Sequence, residues 1–163
     1  MIQFFDEVLA PNALATVQSI LAGNHWGFGY CSNDRAKPIW NFDRQVATKI
    51  TDILMTATAL KEYTLVDYHV NGQTILQDTD VHHDAGMGAT HAFVFFPHSW
   101  NYTDGGHLHI LTGGVPCVVN PQQNFGVLFD AKLQHYAQAP AQRDRLRVSV
   151  GLKLVRKSNG QPD

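Results

Sequence analysis

Hydrophobic positions along the chain fall into two stretches of helical period followed by a long run of alternation. Leu14, Val17, Ile20 and Leu21 form one stripe behind Pro11, whose fixed φ suits a first helical turn, and Gly23 can end the segment. One short helix is predicted over Pro11 to Ala22. The period returns from Asp43, with Val46, Ile50, Ile53, Leu54 and Ala57 on one face and Asp43, Arg44, Lys49 and Asp52 largely elsewhere, which predicts a second helix packed on a sheet. Between the two lies an aromatic, glycine-containing stretch from Asn24 to Phe42, read as irregular, that runs through Trp26, Phe28, Tyr30, Ser32, Asn33, Asp34 and Trp40. Two readings of it stay open: Trp26 and Trp40 cap the core, or the segment from Trp26 to Trp40 is a lid at a substrate entrance.

From Glu62 the pattern alternates, with Tyr63, Leu65, Asp67 and His69 on one side and Thr64, Val66, Tyr68 and Val70 on the other. Turn signals stand at Asn71-Gly72, Asp104-Gly105-Gly106, Gly113-Gly114 and Pro121 to Asn124. They delimit strands at Thr90 to Phe96, His107 to Leu111, Val115 to Val119, Gly126 to Asp130 and near Leu146 to Val155. Two helices followed by short strands predict an α+β, mainly β, chain that ends in a sandwich or barrel. Without an internal repeat or a linker, residues 1–163 are expected to form a single domain with its barrel over about 62–155, and the polar tail from Lys157 to Asp163 is expected to fray.

Composition narrows the function classes. The 163 residues are 44% hydrophobic and 16% charged with a net charge of −2, a folded, near-neutral chain. No basic stripe is present, so a nucleic-acid partner is not expected. Cys31 and Cys117 lack paired spacing and read as free thiols. The acids Asp6 and Glu7 sit where a signal peptide carries lysine or arginine, and no apolar run reaches membrane-spanning length, so a cytoplasmic setting with no membrane partner is expected. The oligomeric state is not encoded in any visible pattern.

The candidate chemistry lies in Asp80-Val81-His82-His83-Asp84. On a strand His82 and Asp84 point one way and His83 the other, so an imidazole and a carboxylate share a face. That pair suits a borderline divalent ion, and one histidine from a distant strand would complete a facial triad of the non-heme iron(II) type; His135 is the candidate. A second same-face pair, His107 and His109, offers an alternative in the manner of cupins. Against it, Leu108 and Ile110 want the core and turn those histidines outward. His91 and His98 read as surface positions or neighbours of the ligands.

The series continues through His91-Ala92-Phe93-Val94-Phe95-Phe96-Pro97, Trp100, Gly105-Gly106-His107-Leu108, Val118-Val119-Asn120-Pro121, Gly126 to Asp130, His135 and Arg147-Val148-Ser149-Val150. This order resembles the iron(II) and 2-oxoglutarate-dependent oxygenases, in the branch similar to prolyl 4-hydroxylase catalytic domains, from about Tyr68 to Leu152. The resemblance implies a double-stranded β-helix, a jelly-roll barrel of the cupin-like kind with the N-terminal helices packed on its sheet. It implies Fe(II) held by His82, Asp84 and His135, with 2-oxoglutarate and O2 as co-substrates and ascorbate as a candidate reductant. Arg147 would pair with the distal carboxylate of 2-oxoglutarate, with Ser149 sharing the contact and Tyr68 a possible contributor. The implied reaction couples decarboxylation of 2-oxoglutarate to hydroxylation of a C–H bond in a peptidyl, prolyl-like, or small-molecule substrate. Where several relatives place a tyrosine on the second core strand, this chain has Phe95. Phe93, Phe95, Leu108 and Ile110 are expected to form the dry walls. The competing class is a cupin-like metal-binding protein, an isomerase or a noncatalytic binding module; Arg147 discriminates, since such a module needs no cationic anchor.

Overall fold

The computed structural model describes residues 1–31 and 34–157, including side chains at all of these except 30–31 and 34–36. Ser32, Asn33, the Cys31 thiol and the tail beyond Lys157 lie outside the described residues. In chain order the elements are β1 (Ile2–Phe5), α1 (Pro11–Leu21), β2 (Trp26–Cys31), β3 (Asp34–Phe42), α2 (Arg44–Met55), β4 (Tyr63–Gln73) and β5 (His91–Phe96). They continue with β6 (Leu108–Thr112), β7 (Val115–Val119), β8 (Phe125–Asp130), β9 (His135–Ala137) and β10 (Arg147–Arg156). No helix among the described residues is long and apolar enough to cross a membrane.

Both predicted helices are present. Pro11 opens α1 at its first turn, and the Asp43 carboxylate caps α2 by accepting from the Val46 N–H at 2.9 Å. The strands form a seven-stranded sheet in the order β1-β8-β5-β10-β4-β3-β2 and a three-stranded sheet in the order β7-β6-β9, with every pairing antiparallel. Ala92, Phe96, Val127 and Phe129 of the large sheet pack with Leu108, Ile110 and Val119 of the small one, so the two sheets face each other as a jelly roll. The opposite face of the large sheet carries Val70, Phe93, Phe95, Leu128, Val150 and Leu152 and buries Val17, Leu21, Ile50 and Leu54 of the helices.

This layering corrects the expected walls. Phe93 and Phe95 point to the helices, while Leu108 and Ile110 do face the interior between the sheets. Alternation along β5 sends Ala92, Val94 and Phe96 inward instead, so the interior residue of that strand nearest the comparison made for Phe95 is Val94, opposite Gly151 of β10 and Val127 of β8. A run apolar on both faces hides its register, because both faces of β5 are buried.

Two further expectations change. The stretch read as irregular is a hairpin on the edge of the large sheet: Trp26 pairs with Phe42, Phe28 with Trp40, and Trp40 with Gly72. Trp26 donates from Nε1 to the Leu21 carbonyl and meets Phe42 edge-on at 4.9 Å, so it caps the helix-side core and does not serve as a lid. Asn71-Gly72 is no turn but the interior of β4, opposite Ser149 and Val148. Gly72 is there for space: a Cβ would stand 2.9 Å from Leu146 Cδ1, 3.0 Å from Trp26 Cζ3 and 3.2 Å from Trp40 Cβ.

Gly72→Ala is therefore expected to cost about 1–3 kcal/mol by overpacking. Gly29→Ala, where nothing lies within 4 Å, should change stability little. Urea unfolding of both variants tests this, and equal midpoints would show that Gly72 is not a packing position.

Candidate metal centre

His82, Asp84 and His135 come together although a long stretch of chain separates the last from the first two. The segment holding His82 and Asp84 is not the strand expected from alternation but a single bridge onto β9: His82 and His135 exchange both backbone hydrogen bonds, at 3.0 and 2.8 Å. Residues so opposed project side chains to the same face, and the two imidazoles lie 4.4 Å apart between centroids. Beyond this bridge the register changes, and the Asp84 N–H donates to the Ala131 carbonyl at 2.9 Å, which brings the carboxylate alongside. One ligand atom from each of the three residues lies within 4.8 Å of the other two.

The donor chemistry fits a divalent metal. His82 Nδ1 lies 2.8 Å from the Asp80 carbonyl and His135 Nδ1 lies 3.1 Å from that of Leu133. A carbonyl can only accept, so each Nδ1 donates to it, which directs each Nε2 toward the shared site. His135 Nε2 faces Asp84 Oδ2 at 3.4 Å, an arrangement held by a proton on Nε2 or by a metal cation that takes the proton's place. Burial pushes the Asp84 carboxyl up, yet His135, and behind it His69 and Lys153, outweigh that and hold it well below the usual carboxylate range. It is ionised, as a ligand must be.

Arg147 stands on the interior face of β10 and is 1% exposed. Its guanidinium donates to the Gly106 carbonyl, to Gln73 Oε1 at 2.8 Å and to Ser149 Oγ at 3.2 Å, and it lies over the Phe96 ring at 5.1 Å. Each of these partners is neutral, and no carboxylate among the described residues is within ion-pair distance of it. Burial lowers its pKa to about 10, which leaves it cationic at neutral pH. Arg145 is employed otherwise: it pairs with Asp104 at 2.6 Å and packs over Trp100.

The other expected residues separate clearly. Ser149 is inside with Arg147. Tyr68 is not: it faces the helices, its hydroxyl 2.7 Å from Thr48 Oγ1 and its ring under the Arg44 guanidinium, so it cannot contribute to a co-substrate site in the interior. Alternation decides this, since Tyr68 opposes Leu152 and shares its outward face. His83 is exposed. His107 and His109 lie on the outer face of the small sheet, where His109 stacks on Tyr136 and His107 meets Gln138, away from the interior that Leu108 and Ile110 line. His91 is half-buried beside Thr90 and Tyr63.

Four interior residues escaped sequence reasoning: Asp67, His69, Gln73 and Lys153. Asp67, His69 and Gln73 stand opposite Lys153, Gly151 and Arg147 respectively, on one face of the β4–β10 ladder. Gly151 makes room for His69, since a Cβ there would collide with the imidazole. Burial pushes His69 below its ordinary range, only partly offset by Asp84. A visible signal existed, a polar residue at every second position from Asp67 to Gln73 answered by the same period from Arg147 to Lys153. The mistaken turn at Asn71-Gly72 broke it.

No protein-family model and no curated protein matches the chain. Solved structures do. A 2-oxoglutarate-Fe(II) oxygenase family oxidoreductase from Burkholderia pseudomallei is 13% identical, with a TM-score of 0.72 over 99% of this chain and 89% of its own. A prolyl hydroxylase from Trichoplax adhaerens, in complex with a peptide fragment of the hypoxia inducible factor oxygen degradation domain, is 14% identical, with a TM-score of 0.65 over 95% and 83%. The non-heme α-ketoglutarate-dependent epimerase SnoN from nogalamycin biosynthesis is 15% identical, with a TM-score of 0.67 over 98% and 81%. At such identities the fold is what is shared, and it is the double-stranded β-helix of the iron(II) and 2-oxoglutarate-dependent oxygenases, prolyl hydroxylases among them.

Proposed function

We propose that this chain is an iron(II)- and 2-oxoglutarate-dependent oxygenase that hydroxylates a C–H bond of a peptidyl or small-molecule substrate. The observation that carries the reading is Arg147: a buried guanidinium with only neutral partners, on the interior face that also receives His82, Asp84 and His135. Burying a charge without a counter-charge is costly, and an anionic ligand whose carboxylate meets the guanidinium fork offsets that cost. A barrel that binds no anion has no need of such a residue.

Iron(II) held by His82, Asp84 and His135 would supply dioxygen activation and the oxidative decarboxylation of the oxo acid. The chain's own residues do the rest. Arg147 takes the distal carboxylate of 2-oxoglutarate, and the Ser149 hydroxyl beside it shares the contact. Gln73, on the neighbouring strand, holds the guanidinium in place from the side. Phe96, Leu108, Ile110 and Phe129 keep the interior between the sheets dry, which protects a reactive centre from water. The fold shared with a peptide-bound prolyl hydroxylase supports a peptidyl substrate, and the fold shared with the epimerase supports a small molecule equally well.

Anaerobic titration of the iron(II)-loaded protein with 2-oxoglutarate is expected to raise a visible charge-transfer band. In Arg147→Ala the affinity for 2-oxoglutarate should fall by roughly two orders of magnitude or more, matching the 3–5 kcal/mol of a broken buried ion pair, while iron binding is retained. Arg145→Ala should leave that affinity nearly unchanged. A wild-type protein that shows no band would count against the reading, and the reverse ranking of the two arginines would displace the anchor.

Asp84→Ala and His135→Ala should each lose metal in equilibrium dialysis while keeping a native circular dichroism spectrum, and His83→Ala should bind metal normally. Tyr68→Phe should cost about 1 kcal/mol of stability through its lost hydrogen bond and leave 2-oxoglutarate affinity untouched. A weakened co-substrate in Tyr68→Phe would return that residue to the site.

A further inference from the structure

The two oxygens of Asp84 have different neighbours. Oδ2 lies 3.4 Å from His135 Nε2, whereas Oδ1 lies 3.6 Å from Lys153 Nζ. Lys153 is 6% exposed and stands on the interior face of β10 beyond Arg147 and Ser149. Its Nζ is also 3.7 Å from Asp67 Oδ2, and Asp67 Oδ1 in turn accepts from Arg44 of α2 at 2.7 Å. A row of alternating charge thus runs from the helix surface through the ladder to one oxygen of a metal ligand.

We propose that Lys153 is a positioning residue that fixes which oxygen of Asp84 meets the metal, and that Asp67 sets how strongly it does so. The proposal rests on the reading of His82, Asp84 and His135 as a metal site. A carboxylate can offer one oxygen to a metal or both. With Oδ1 occupied by the Lys153 ammonium, Oδ2, the oxygen beside His135, is the one presented. Attachment through one oxygen leaves room for a bidentate oxo acid and dioxygen on a six-coordinate ion. The same ammonium opposes the metal, because it competes for the carboxylate and repels a second cation nearby. Asp67 moderates that opposition by drawing Lys153 toward itself, and Arg44 limits how far Asp67 can do so.

This arrangement predicts effects of opposite sign. Removing the charge at Lys153 frees both oxygens of Asp84 and takes a cation away, so metal binding should tighten. Removing the charge at Asp67 leaves Lys153 wholly to Asp84, so binding should weaken. A lysine that merely supported packing would loosen the site when shortened, and binding would fall.

The test is Mn(II) binding, followed by electron paramagnetic resonance, to the full-length wild type, Lys153→Met, Lys153→Arg and Asp67→Asn, with the iron(II)–2-oxoglutarate absorption band recorded for each. Lys153→Met is expected to bind Mn(II) about tenfold tighter and Asp67→Asn about tenfold weaker, since charges a few ångströms apart inside a protein interact at least that strongly. Lys153→Arg keeps the charge and should stay within about threefold of wild type. The charge-transfer band should shift in Lys153→Met and recover in Lys153→Arg. Binding in Lys153→Met equal to or weaker than wild type overturns the proposal. If Lys153→Met does not fold, Asp67→Asn decides, and unchanged or tighter binding there overturns it. A wild type that takes up no Mn(II) overturns both this proposal and the metal-site reading beneath it, whereas a wild type that binds Mn(II) with the wrong ranking of variants overturns this proposal alone.

Discussion

Strand β10 is hydrogen-bonded along both edges, to β4 and to β5, and the rest of the molecule is arranged by what that allows. With both edges used, its side chains have two directions left. Val148, Val150, Leu152 and Leu154 go to the helix side, where they are buried with the stripes of α1 and α2. Arg147, Ser149 and Lys153 go to the interior between the sheets. Each large apolar side chain buried on the helix side contributes about 1.5–3 kcal/mol, and that burial offsets the cost of holding two cations on the other side. A slip of one residue would exchange the two sets, so the packing of the helices is what keeps Arg147 and Lys153 in the interior.

The same alternation explains what could be read from the residues and what could not. His82 and Asp84 were legible because a spacing of two survives whether the segment is a full strand or, as here, a single bridge onto β9. Arg147 was distinguishable from Arg145 because it lies within an apolar-flanked strand, whereas Arg145 stands outside it and finds Asp104. Both helices were legible because their exposed faces are polar. Register failed where both faces of a strand are buried, as at Phe93 and Phe95, since nothing in the composition then marks which way is in. Tyr68 failed for a related reason: its hydroxyl suits a ligand or a helix equally, and only its partner Leu152 reveals the side.

Glycine misled in two places by the same mechanism. Gly72 and the glycines of the Trp26 hairpin read as breaks in regular structure, yet they sit inside paired strands. At Gly72 what is supplied is the absence of a side chain, which lets Trp26 and Trp40 lie close over β4, whereas a Cβ at Gly27 or Gly29 would meet nothing nearer than 4.0 Å. The sequence shows that a glycine has no Cβ but not which neighbour needs that space, because the neighbour comes from a distant part of the chain.

The charges in the interior are balanced in number but not in place. Asp67 and Asp84 both lie against Lys153, and neither lies against Arg147. Lys153 is therefore compensated twice within the protein, while Arg147 makes hydrogen bonds to neutral groups alone. Asp84, shared among Lys153, His135 and the ring of His82 nearby, belongs to a group of donors directed at a cation. One end of the interior thus favours an added positive charge and the other an added negative one. Under the proposed function a short oxo dicarboxylic acid would satisfy both, chelating a metal at one end and meeting Arg147 with its far carboxylate, whereas an uncharged ligand would leave the guanidinium as poorly compensated as before.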